Sequence, residues 1–433
     1  MYIAKVVLKN IRGFTNLEFD LKRGDGSHAG WTVFTGDNGS GKSTLLKAIA
    51  VGLTGKDTAR SLQPSFHRWI RDGAGDQEAS IEIDIVRRDE DDDLAEGGRA
   101  PGDPFPAKIE FKNGAKETTL HAPTPAGKPK SYSTPSRTIW SLDARGWFSC
   151  GYGPFRRVFG ASPEATRQMV APATERFVTM FQEAASLAEV DQWMRNLKHK
   201  EFEGKAAERD QLALLLEILK DDLIPNQMTV NRVDSDGLWL QDRNGVQLTW
   251  AEMSDGYRAA LALLADILRH LITAYGVADL AEKGQDGKIR IKRSGVVLID
   301  EVDAHMHPEW QQQIGFWIKR HFPNIQFLVT THSPIICQAA DDNGLFVLPG
   351  PGSTEPPRPL TPEEYKKVIA SRPDTILLTS AFGLQNTRSP RAVDARAESA
   401  RLKAKKRAGG VLTPEETARI GQLELFADPD EEP

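Results

Sequence analysis

The sequence predicts an α/β fold with a mostly parallel core sheet, an antiparallel β subdomain and a short helical insert. Two mainly apolar runs are typical of parallel strands buried on both faces, namely Ser294–Glu301, which ends in two acids, and Ile325–His332, which ends in a histidine. Apolar and polar residues alternate over Leu17–Leu21 and Ile81–Ile85, which predicts half-buried antiparallel strands. A helical pattern over residues 163–222, with a leucine stripe and no sustained heptads, predicts the insert.

Length and composition exclude several classes of protein. The chain has 433 residues, of which 27% are charged, and a formal net charge of −5, so no global positive field favours nucleic acid. Its two cysteines, Cys150 and Cys337, cannot make a disulfide framework and indicate a reducing compartment. Without a long apolar run or a signal-peptide pattern, we expect a cytoplasmic protein and no membrane partner.

A glycine-rich stretch, Gly36–Ser43, matches the phosphate-loop pattern G-x-x-x-x-G-K-[ST] at every fixed position. The β-prone run Trp31–Thr35 precedes it and the helix-prone run Thr44–Leu53 follows it. In this arrangement backbone N–H groups surround an anion, and the dipole of the helix adds to their attraction. The alternative is a chance glycine turn before a helix.

The residue types in this loop suit a nucleoside triphosphate. Lys42 would reach the β- and γ-phosphates, and the hydroxyl of Ser43 would ligate magnesium. We therefore predict ATP and Mg²⁺ as cofactors. The predicted nucleotide-binding residues of the loop are Gly36, Asn38, Gly39, Ser40, Gly41, Lys42, Ser43 and Thr44.

Three polar residues follow the two buried strands. Asp300 and Glu301 end the first, at the edge of the sheet where ligands bind in α/β folds. Asp300 would hold magnesium through water, and Glu301 would orient or deprotonate the attacking water. His332 ends the second strand and would hydrogen-bond a γ-phosphate. The alternatives are carboxylates that only cap a strand and a histidine that is only structural.

Two further segments are candidate nucleotide contacts. Ser254 and Gly256 open a helix over residues 256–274 and would form a second anion cradle, although Ser254 is also a natural N-cap. Arg12, in the turn Lys9–Phe14, would lie near bound nucleotide, and a solvated turn arginine remains the alternative.

The order of these motifs resembles the ATP-binding-cassette ATPases, in particular the branch that includes structural-maintenance-of-chromosomes (SMC) and RecF-like proteins. On that resemblance Gly36–Ser43 is Walker A, Met253–Arg258 is the signature and Val296–Glu301 is Walker B. The D-loop is near Asp303, and His332 is the switch histidine. The resemblance covers about residues 1–350 and implies an ABC-type P-loop NTPase fold that hydrolyses ATP.

The resemblance also implies a mechanism in which two copies of the chain enclose two ATP molecules. Ser254 and Gly256 of one copy would touch the γ-phosphate held by the other. Glu301, Lys42 and His332 would be catalytic, and hydrolysis would open the dimer, so that nucleotide shifts a population between two states. A homodimer, or a higher oligomer built from it, is therefore expected.

The sequence departs from the family pattern in two places. The signature reads S-D-G-Y rather than S-G-G-Q, and no Q-loop glutamine is evident. The segment Trp147–Arg157 occupies the place in the chain where that loop is expected. His305 and His307 suggest a metal site, but no other Cys or His cluster accompanies them, and the stretch is similar to D-loops of the family.

Within that branch the chain resembles standalone ATPases of bacterial anti-phage systems, namely the Septu-type and retron-linked ATPases that pair with a separate HNH nuclease. The segments that carry this resemblance are the S-D-G-Y signature, Gly151–Arg156 and Asp303–Pro308. A separate effector protein is therefore expected as a partner. A RecF-like DNA-repair ATPase remains the alternative.

Two other classes fit less well. A nuclease of the overcoming-lysogenization-defect family would carry a D-x-D pair on a strand, whereas Asp428–Asp430 lies in an acidic terminus. A transporter subunit would carry an S-G-G-Q signature.

The predicted domains are residues 1–162 and 226–350 as the two parts of the ATPase core, 163–225 as the helical insert, and 351–433 as a linker and polar tail. The tail has a basic cluster from Arg388 to Arg407. Arg401 and Lys405 would share a helical face, so the cluster suits DNA phosphates, and a solvated helix or a docking segment for a protein is the alternative.

Overall fold

A computed structural model describes residues 1–75, 77–94, 101–114, 117–123, 134–141, 144–158, 172–183, 185–225, 227–350 and 357–423. The predicted start of the insert at residue 163, most of the predicted loop at 123–135 and the acidic end at 428–432 lie outside the described residues. Residues Met1–Pro373 form one compact unit, and Asp374–Pro433 form a second.

The strands of the described chain run in the following order. They are β1 (Tyr2–Ile11), β2 (Phe14–Asp20), β3 (Gly30–Thr35), β4 (Ala79–Val86), β5 (Phe105–Asn113), β6 (Thr118–His121), β7 (Ser149–Tyr152), β8 (Thr229–Asp234), β9 (Gly237–Gln241), β10 (Gln247–Thr249), β11 (Ala281–Lys283), β12 (Ile289–Ile291), β13 (Gly295–Ile299), β14 (Ile325–Thr330), β15 (Leu345–Val347) and β16 (Arg358–Pro359).

The α-helices of the described chain are distributed over both units. They are α1 (Lys42–Leu62), α2 (Pro172–Glu175), α3 (Val178–Phe181), α4 (Ala188–Phe202), α5 (Ala206–Leu219), α6 (Asp255–Tyr275), α7 (Pro308–His321), α8 (Pro334–Cys337), α9 (Pro362–Ala370), α10 (Pro373–Leu377), α11 (Pro390–Arg407) and α12 (Pro414–Leu423).

The core sheet has six strands in the order β16-β15-β3-β14-β13-β7, and only the β15–β16 pair is antiparallel. Val329 on β14 is opposite both Val33 and Ile299, and Ile299 is opposite Tyr152. Because parallel strands end at the same edge, the residues after β3, β7, β13 and β14 gather there. This edge positions the candidate site.

A second sheet is antiparallel and has the strand order β2-β1-β4-β5-β6. Ile81, Ile83 and Ile85 on β4 are fully buried, as their alternation with polar residues predicts. The predicted hairpin is also present, because Asn113 on β5 pairs with Thr118 on β6. The side chain of Gln326 joins the two sheets by accepting from the N–H of Ile3 at 2.8 Å and donating to its carbonyl at 2.9 Å.

Helix α1 packs between the two sheets and buries Leu45, Ile49 and Leu53, the predicted apolar face. The sequence predicts irregular structure from residue 56, and this prediction is wrong, since the helix continues to Leu62. Gly55 has φ 75° and ψ 170°, which kinks the helix there instead of ending it.

The part of the insert that the structure describes is helical and packs against strands that follow it in the sequence. Helices α4 and α5 pack against the three-stranded sheet β10-β9-β8. The predicted turn at Asn244–Gly245 joins β9 and β10. The many charges in residues 281–293 predict an exposed segment, and this prediction is wrong, since the segment contains the hairpin β11–β12, in which Ile291 is fully buried. The charged residues around Ile291 obscure its apolar signal in the sequence.

The two sheets, the interposed helix and the insert confirm the predicted α/β class with an antiparallel subdomain and a mostly parallel core. The domain boundaries predicted from the sequence stay a prediction.

Candidate active site

The segment between β3 and α1 has a backbone that requires glycine. Gly36, Gly39 and Gly41 have φ of 147°, 81° and 93°. A Cβ on Gly36 would lie 2.8 Å from the carbonyl oxygen of Leu348, and one on Gly41 would lie 2.6 Å from Cζ of Phe14. Ser40 is buried, and its hydroxyl has no hydrogen-bond partner among the described residues. The loop therefore turns tightly around the hydroxyl of Ser40, which has no hydrogen-bond partner in the described part of the chain.

Lys42 begins α1 and folds back over this loop. Its Nζ donates to the carbonyl oxygens of Gly36 at 2.8 Å and Asp37 at 2.9 Å. Burial lowers the pKa of Lys42, and the negative charges of Asp300 and Glu301 act in the opposite direction. The ammonium group thus lies near both carboxylates at the end of β13. Ser43 and Thr44 are half-buried, whereas Asn38 and Gly39 are exposed.

Asp300 follows β13 and is 1% exposed. Its Oδ1 accepts a hydrogen bond from the Thr330 hydroxyl at 2.6 Å, while its Oδ2 is buried without a partner in the described chain. The same hydroxyl accepts from the N–H of Glu301 at 2.7 Å. A buried carboxylate oxygen without a partner is costly, so the site is built to receive a cation or a donor at Oδ2.

The donor set at this edge fits ATP with magnesium. The glycine loop presents backbone amides, Lys42 supplies a positive charge, and Ser43 and Asp300 supply oxygen ligands of the kind Mg²⁺ prefers. The described residues contain no group of three or more His, Cys, Asp or Glu side chains able to hold a metal.

His332 lies in the loop after β14, which ends at Thr330, two residues earlier than the sequence predicts. The Thr331 hydroxyl donates to Oδ1 of Asp303 at 2.5 Å, and the Ser333 hydroxyl donates to Oε1 of Gln311 at 2.6 Å. Both flanking residues are buried, whereas His332 is exposed. The exposed imidazole of His332 thus lies between two residues that are held in place by hydrogen bonds. One of these bonds, from Thr331 to Asp303, connects this loop to the segment that follows β13.

Ser254 occupies the N-cap position of α6, but its hydroxyl makes no capping hydrogen bond and is exposed. Gly256 packs against the segment that follows β13, where a Cβ would lie 2.3 Å from the carbonyl oxygen of His305. The glycine therefore has a packing role within the chain, whereas the serine hydroxyl is exposed and does not cap its helix. His307 caps α7, because its Nδ1 accepts from the N–H of Glu309 at 3.4 Å.

The segment Gly153–Arg156 lies beside the Asp300 backbone, because β7 pairs in parallel with β13. This is the place where the sequence expects the Q-loop. Arg156 is 3% exposed and donates to the carbonyl oxygens of Asp300 and Glu301, both at 2.8 Å. Sequence reasoning missed Arg156 and Thr330. The arginine stands in the aromatic, glycine-rich segment that drew attention, but nothing in the pattern marks it as buried.

Arg12 has φ 46°, and its guanidinium carbon lies 4.7 Å from the centroid of the Trp69 ring. It lines a cavity of about 270 Å³ together with Arg68, Arg71 and other residues. Burial lowers the pKa of Arg12, and the charge of Arg12 in turn helps to lower the pKa of Lys47 on α1. The structure therefore stacks Arg12 on an aromatic ring near α1 instead of leaving it in a solvated turn.

A glycine phosphate loop beside a strand that ends in two carboxylates defines a P-loop nucleotide-binding protein. The chain belongs to the family described as "AAA domain", which matches residues 5–222. A second family, described as "AAA domain, putative AbiEii toxin, Type IV TA system", matches residues 174–338. Among the described residues, no helix is long and apolar enough to cross a membrane.

Two similar proteins come from bacterial systems. Septu protein PtuA of Bacillus mycoides (strain KBAB4) is 24% identical over 351 residues, which cover 80% of this chain and 40% of that protein. Retron Ec83 probable ATPase of Escherichia coli is 27% identical over 402 residues, which cover 80% of this chain and 71% of that protein. The family and these relatives confirm the predicted resemblance to SMC-like AAA ATPases of anti-phage systems.

Solved structures of SMC heads are also similar. The SMC head domain from Thermotoga maritima has a TM-score of 0.43 at 14% identity and covers 83% of this chain and 100% of that one. An SMC head bound to the C-terminal winged-helix domain of ScpA has a TM-score of 0.44 at 16% identity, with 84% and 99% coverage. These scores are too low to add to the fold already described.

Proposed function

We propose that this chain binds ATP with Mg²⁺ at the loop Gly36–Ser43 and hydrolyses it with Glu301 as the general base. The proposal depends on Oδ2 of Asp300, which is buried and has no hydrogen-bond partner among the described residues. The negative charge of Asp300 also acts on Lys42. A cation there would satisfy the carboxylate, and the phosphates of the nucleotide would satisfy Lys42 in place of the loop carbonyls.

Each residue has a stated task in this proposal. The loop amides and Lys42 hold the phosphates, and Ser43 and Asp300 would hold magnesium. Bound ATP with Mg²⁺ supplies a γ-phosphoryl group whose negative charge is partly neutralised. Glu301 takes the proton of the water that attacks phosphorus as the bond to the β-phosphate oxygen breaks. His332 donates a hydrogen bond to the transferred group.

The proposal includes dimerisation that depends on ATP. Ser254 of one copy would contact the γ-phosphate held by its partner, and Gly256 would let that helix start approach. The hydroxyl of Ser254 is exposed and does not cap its own helix, which supports this role. The free backbone N–H groups at the helix start would also donate to an anion. Hydrolysis would then separate the two copies, whether they act as a dimer or within a higher oligomer.

The biological part of the proposal is anti-phage defence with a separate effector protein, such as a nuclease. It is supported by the similarity to a Septu protein and to a retron ATPase, each of which extends beyond the aligned region. DNA is proposed only as a partner of α11. There Lys405 is already paired with Glu416, so a DNA phosphate would compete with that carboxylate.

The hydrolysis proposal is tested by measuring phosphate release from ATP with and without Mg²⁺. We expect release by the wild type to require Mg²⁺, and Glu301→Gln to lose about a hundredfold or more in rate while still binding nucleotide. Lys42→Ala should lose nucleotide binding. Wild-type activity that equals the activity of Glu301→Gln would overturn the role of Glu301.

The dimer proposal is tested by light scattering on Glu301→Gln with and without ATP and Mg²⁺. We expect the mass to increase with nucleotide, and the further change Ser254→Arg to abolish that increase. Ser27→Arg is the matched control, because Ser27 is exposed and precedes β3, whereas the phosphate loop follows that strand. A constant monomer mass would contradict the proposal, whereas a constant larger mass would show that assembly does not depend on ATP.

A further inference from the structure

Arg156 is a buried arginine that binds backbone instead of a carboxylate. Its guanidinium donates to the carbonyl oxygens of Asp300 and Glu301 at 2.8 Å, to Gly153 at 3.2 Å and to Val302 at 3.4 Å. It forms no ion pair with the residues that the structure describes. Burial lowers the pKa of Arg156 to about 10, so the group stays charged at neutral pH.

A buried charge of this kind needs a compensating environment. The carbonyl dipoles supply part of it, and the carboxylates of Asp300, Asp303 and Glu301 act on the same guanidinium. All of these groups belong to the segment that follows β13. The fork of Arg156 therefore spans the peptide units on both sides of Glu301, which a lysine could not do with the same geometry.

The backbone at Glu301 has a conformation that needs such support. Its φ is 46°, in the left-handed region that residues other than glycine seldom adopt. Thr330 fixes its N–H at 2.7 Å, and Arg156 fixes its carbonyl at 2.8 Å. These two contacts hold both ends of the residue and thereby set where its carboxylate points.

The same strand that leads to Arg156 is tied to the helix that begins after Ser254. Tyr152 ends β7, and its hydroxyl donates to Oδ2 of Asp266 on α6 at 3.0 Å. Asp266 is buried and also pairs with Arg269 at 2.8 Å, and Arg269 pairs with Glu175 on α2 at 2.6 Å. A network of buried and half-buried polar groups thus connects α6 to β7, which is the neighbour of the strand that ends before Asp300.

We propose that Arg156 is a positioning residue for Glu301, and that the Tyr152–Asp266 hydrogen bond couples this arginine to the helix that starts at Ser254. The inference rests on the proposed function, since it requires Glu301 to be the base. Movement of α6 on dimerisation would pass through Tyr152 and the short loop Gly153–Arg156 to the backbone of Glu301. Gly153 fits this loop tightly, because a Cβ there would lie 2.3 Å from the carbonyl oxygen of Thr179.

The test is steady-state ATP hydrolysis by Arg156→Gln, Arg156→Lys and Tyr152→Phe, with nucleotide affinity measured separately. We expect Arg156→Gln to lower kcat about ten- to a hundredfold with KM and affinity within about twofold of the wild type, the range for losing hydrogen bonds from a charged donor. The kcat of Arg156→Lys should fall between those of Arg156→Gln and the wild type. In Arg156→Ala, guanidinium ion at non-denaturing concentrations should restore part of kcat.

Arg157→Gln is the matched control, because Arg157 is the adjacent arginine and is exposed. Tyr152→Phe removes one hydroxyl and leaves Asp266 paired with Arg269, so we expect a folded protein whose kcat is lower about three- to tenfold. In the double variant Arg156→Gln/Tyr152→Phe, we expect the decrease in kcat to be smaller than the product of the two single decreases, since both changes act through one backbone segment.

The outcomes separate the inference from the function on which it rests. A wild type whose hydrolysis is no faster than that of Glu301→Gln would remove the proposed function. Normal hydrolysis that depends on Glu301, together with an unchanged kcat in Arg156→Gln, would overturn the inference alone. If the Arg156 variants do not fold, the Tyr152→Phe variant tests the coupling by itself. An unchanged kcat in Tyr152→Phe overturns the coupling, and a lowered kcat at constant nucleotide affinity supports it.

Discussion

Gly256, near the start of α6, lies against the backbone of His305 in the loop after β13, where a Cβ would be 2.3 Å from the carbonyl oxygen. We expect Gly256→Ala to lower the free energy of unfolding by about 1–3 kcal/mol, because a backbone atom cannot yield as a flexible side chain can. The measurement is the thermal unfolding midpoint, with Gly102→Ala as the control, since a Cβ there meets nothing within 4 Å. Equal unfolding midpoints for Gly256→Ala and the wild type would contradict this prediction and show that the backbone at His305 shifts to make room for a methyl group.

Thr330 joins the two acidic residues through one hydroxyl, which donates to Asp300 and accepts from the N–H of Glu301. Thr330→Val keeps the shape and removes both bonds, so we expect kcat for ATP to fall about ten- to a hundredfold and stability to drop by about 1–3 kcal/mol. Thr32→Val is the control for the same change on the neighbouring strand β3, and its kcat should stay near that of the wild type. Equal kcat values for the two variants would contradict the role of Thr330.

The buried carboxylate of Asp266 predicts a pH dependence. Burial acts to raise the pKa of Asp266, but His270 and Arg269 more than offset this effect, so its pKa is well below the usual range. Its stabilisation is therefore present above the unfolded-state pKa of about 4 and is lost as pH falls from there towards the folded-state value. We expect Asp266→Asn to cost about 3–5 kcal/mol near pH 7.

That cost should decline as pH falls below about 4, where the unfolded chain takes up a proton that the folded carboxylate of Asp266 resists. Denaturant unfolding of the wild type and of Asp266→Asn across this range measures it. Asp236→Asn, at an exposed turn, is the control and should show a small and constant difference. A cost that does not decline below about pH 4 would show that the pKa of Asp266 is not depressed in the folded protein.

In the second unit, Lys405 on α11 pairs with both carboxylate oxygens of Glu416 on α12 at 2.8 Å. If α11 binds DNA, changing Arg401, Lys405 and Lys406 to glutamine should weaken affinity and reduce the slope of log affinity against log salt by up to about 3. Glu416→Gln should strengthen binding by releasing Lys405. Fluorescence anisotropy at several salt concentrations measures both, and an affinity that neither change alters would remove DNA as a partner of this helix.

Much of the fold could be predicted because its signals are local. The alternation of Ile81, Ile83 and Ile85 identifies β4, and the apolar run before Asp300 identifies β13. The kink at Gly55 was missed, because a glycine in a helical pattern can equally end the helix. The hairpin β11–β12 was missed because its two strands are three residues each and lie among charges.

The sequence by itself determined the chemistry of the phosphate loop, since Gly36–Ser43 is a contiguous segment whose backbone conformation depends on its own glycines. It also placed Asp300 and Glu301 at a strand end, which depends only on the apolar run before them. Tertiary structure alone decided the partners of these residues. Arg156 reaches Asp300 across 144 residues of sequence and Thr330 reaches it across 30, because hydrogen bonds between strand ends depend on which strands are neighbours. A sequence pattern records residue types and spacing, whereas strand order is set by the packing of the whole sheet.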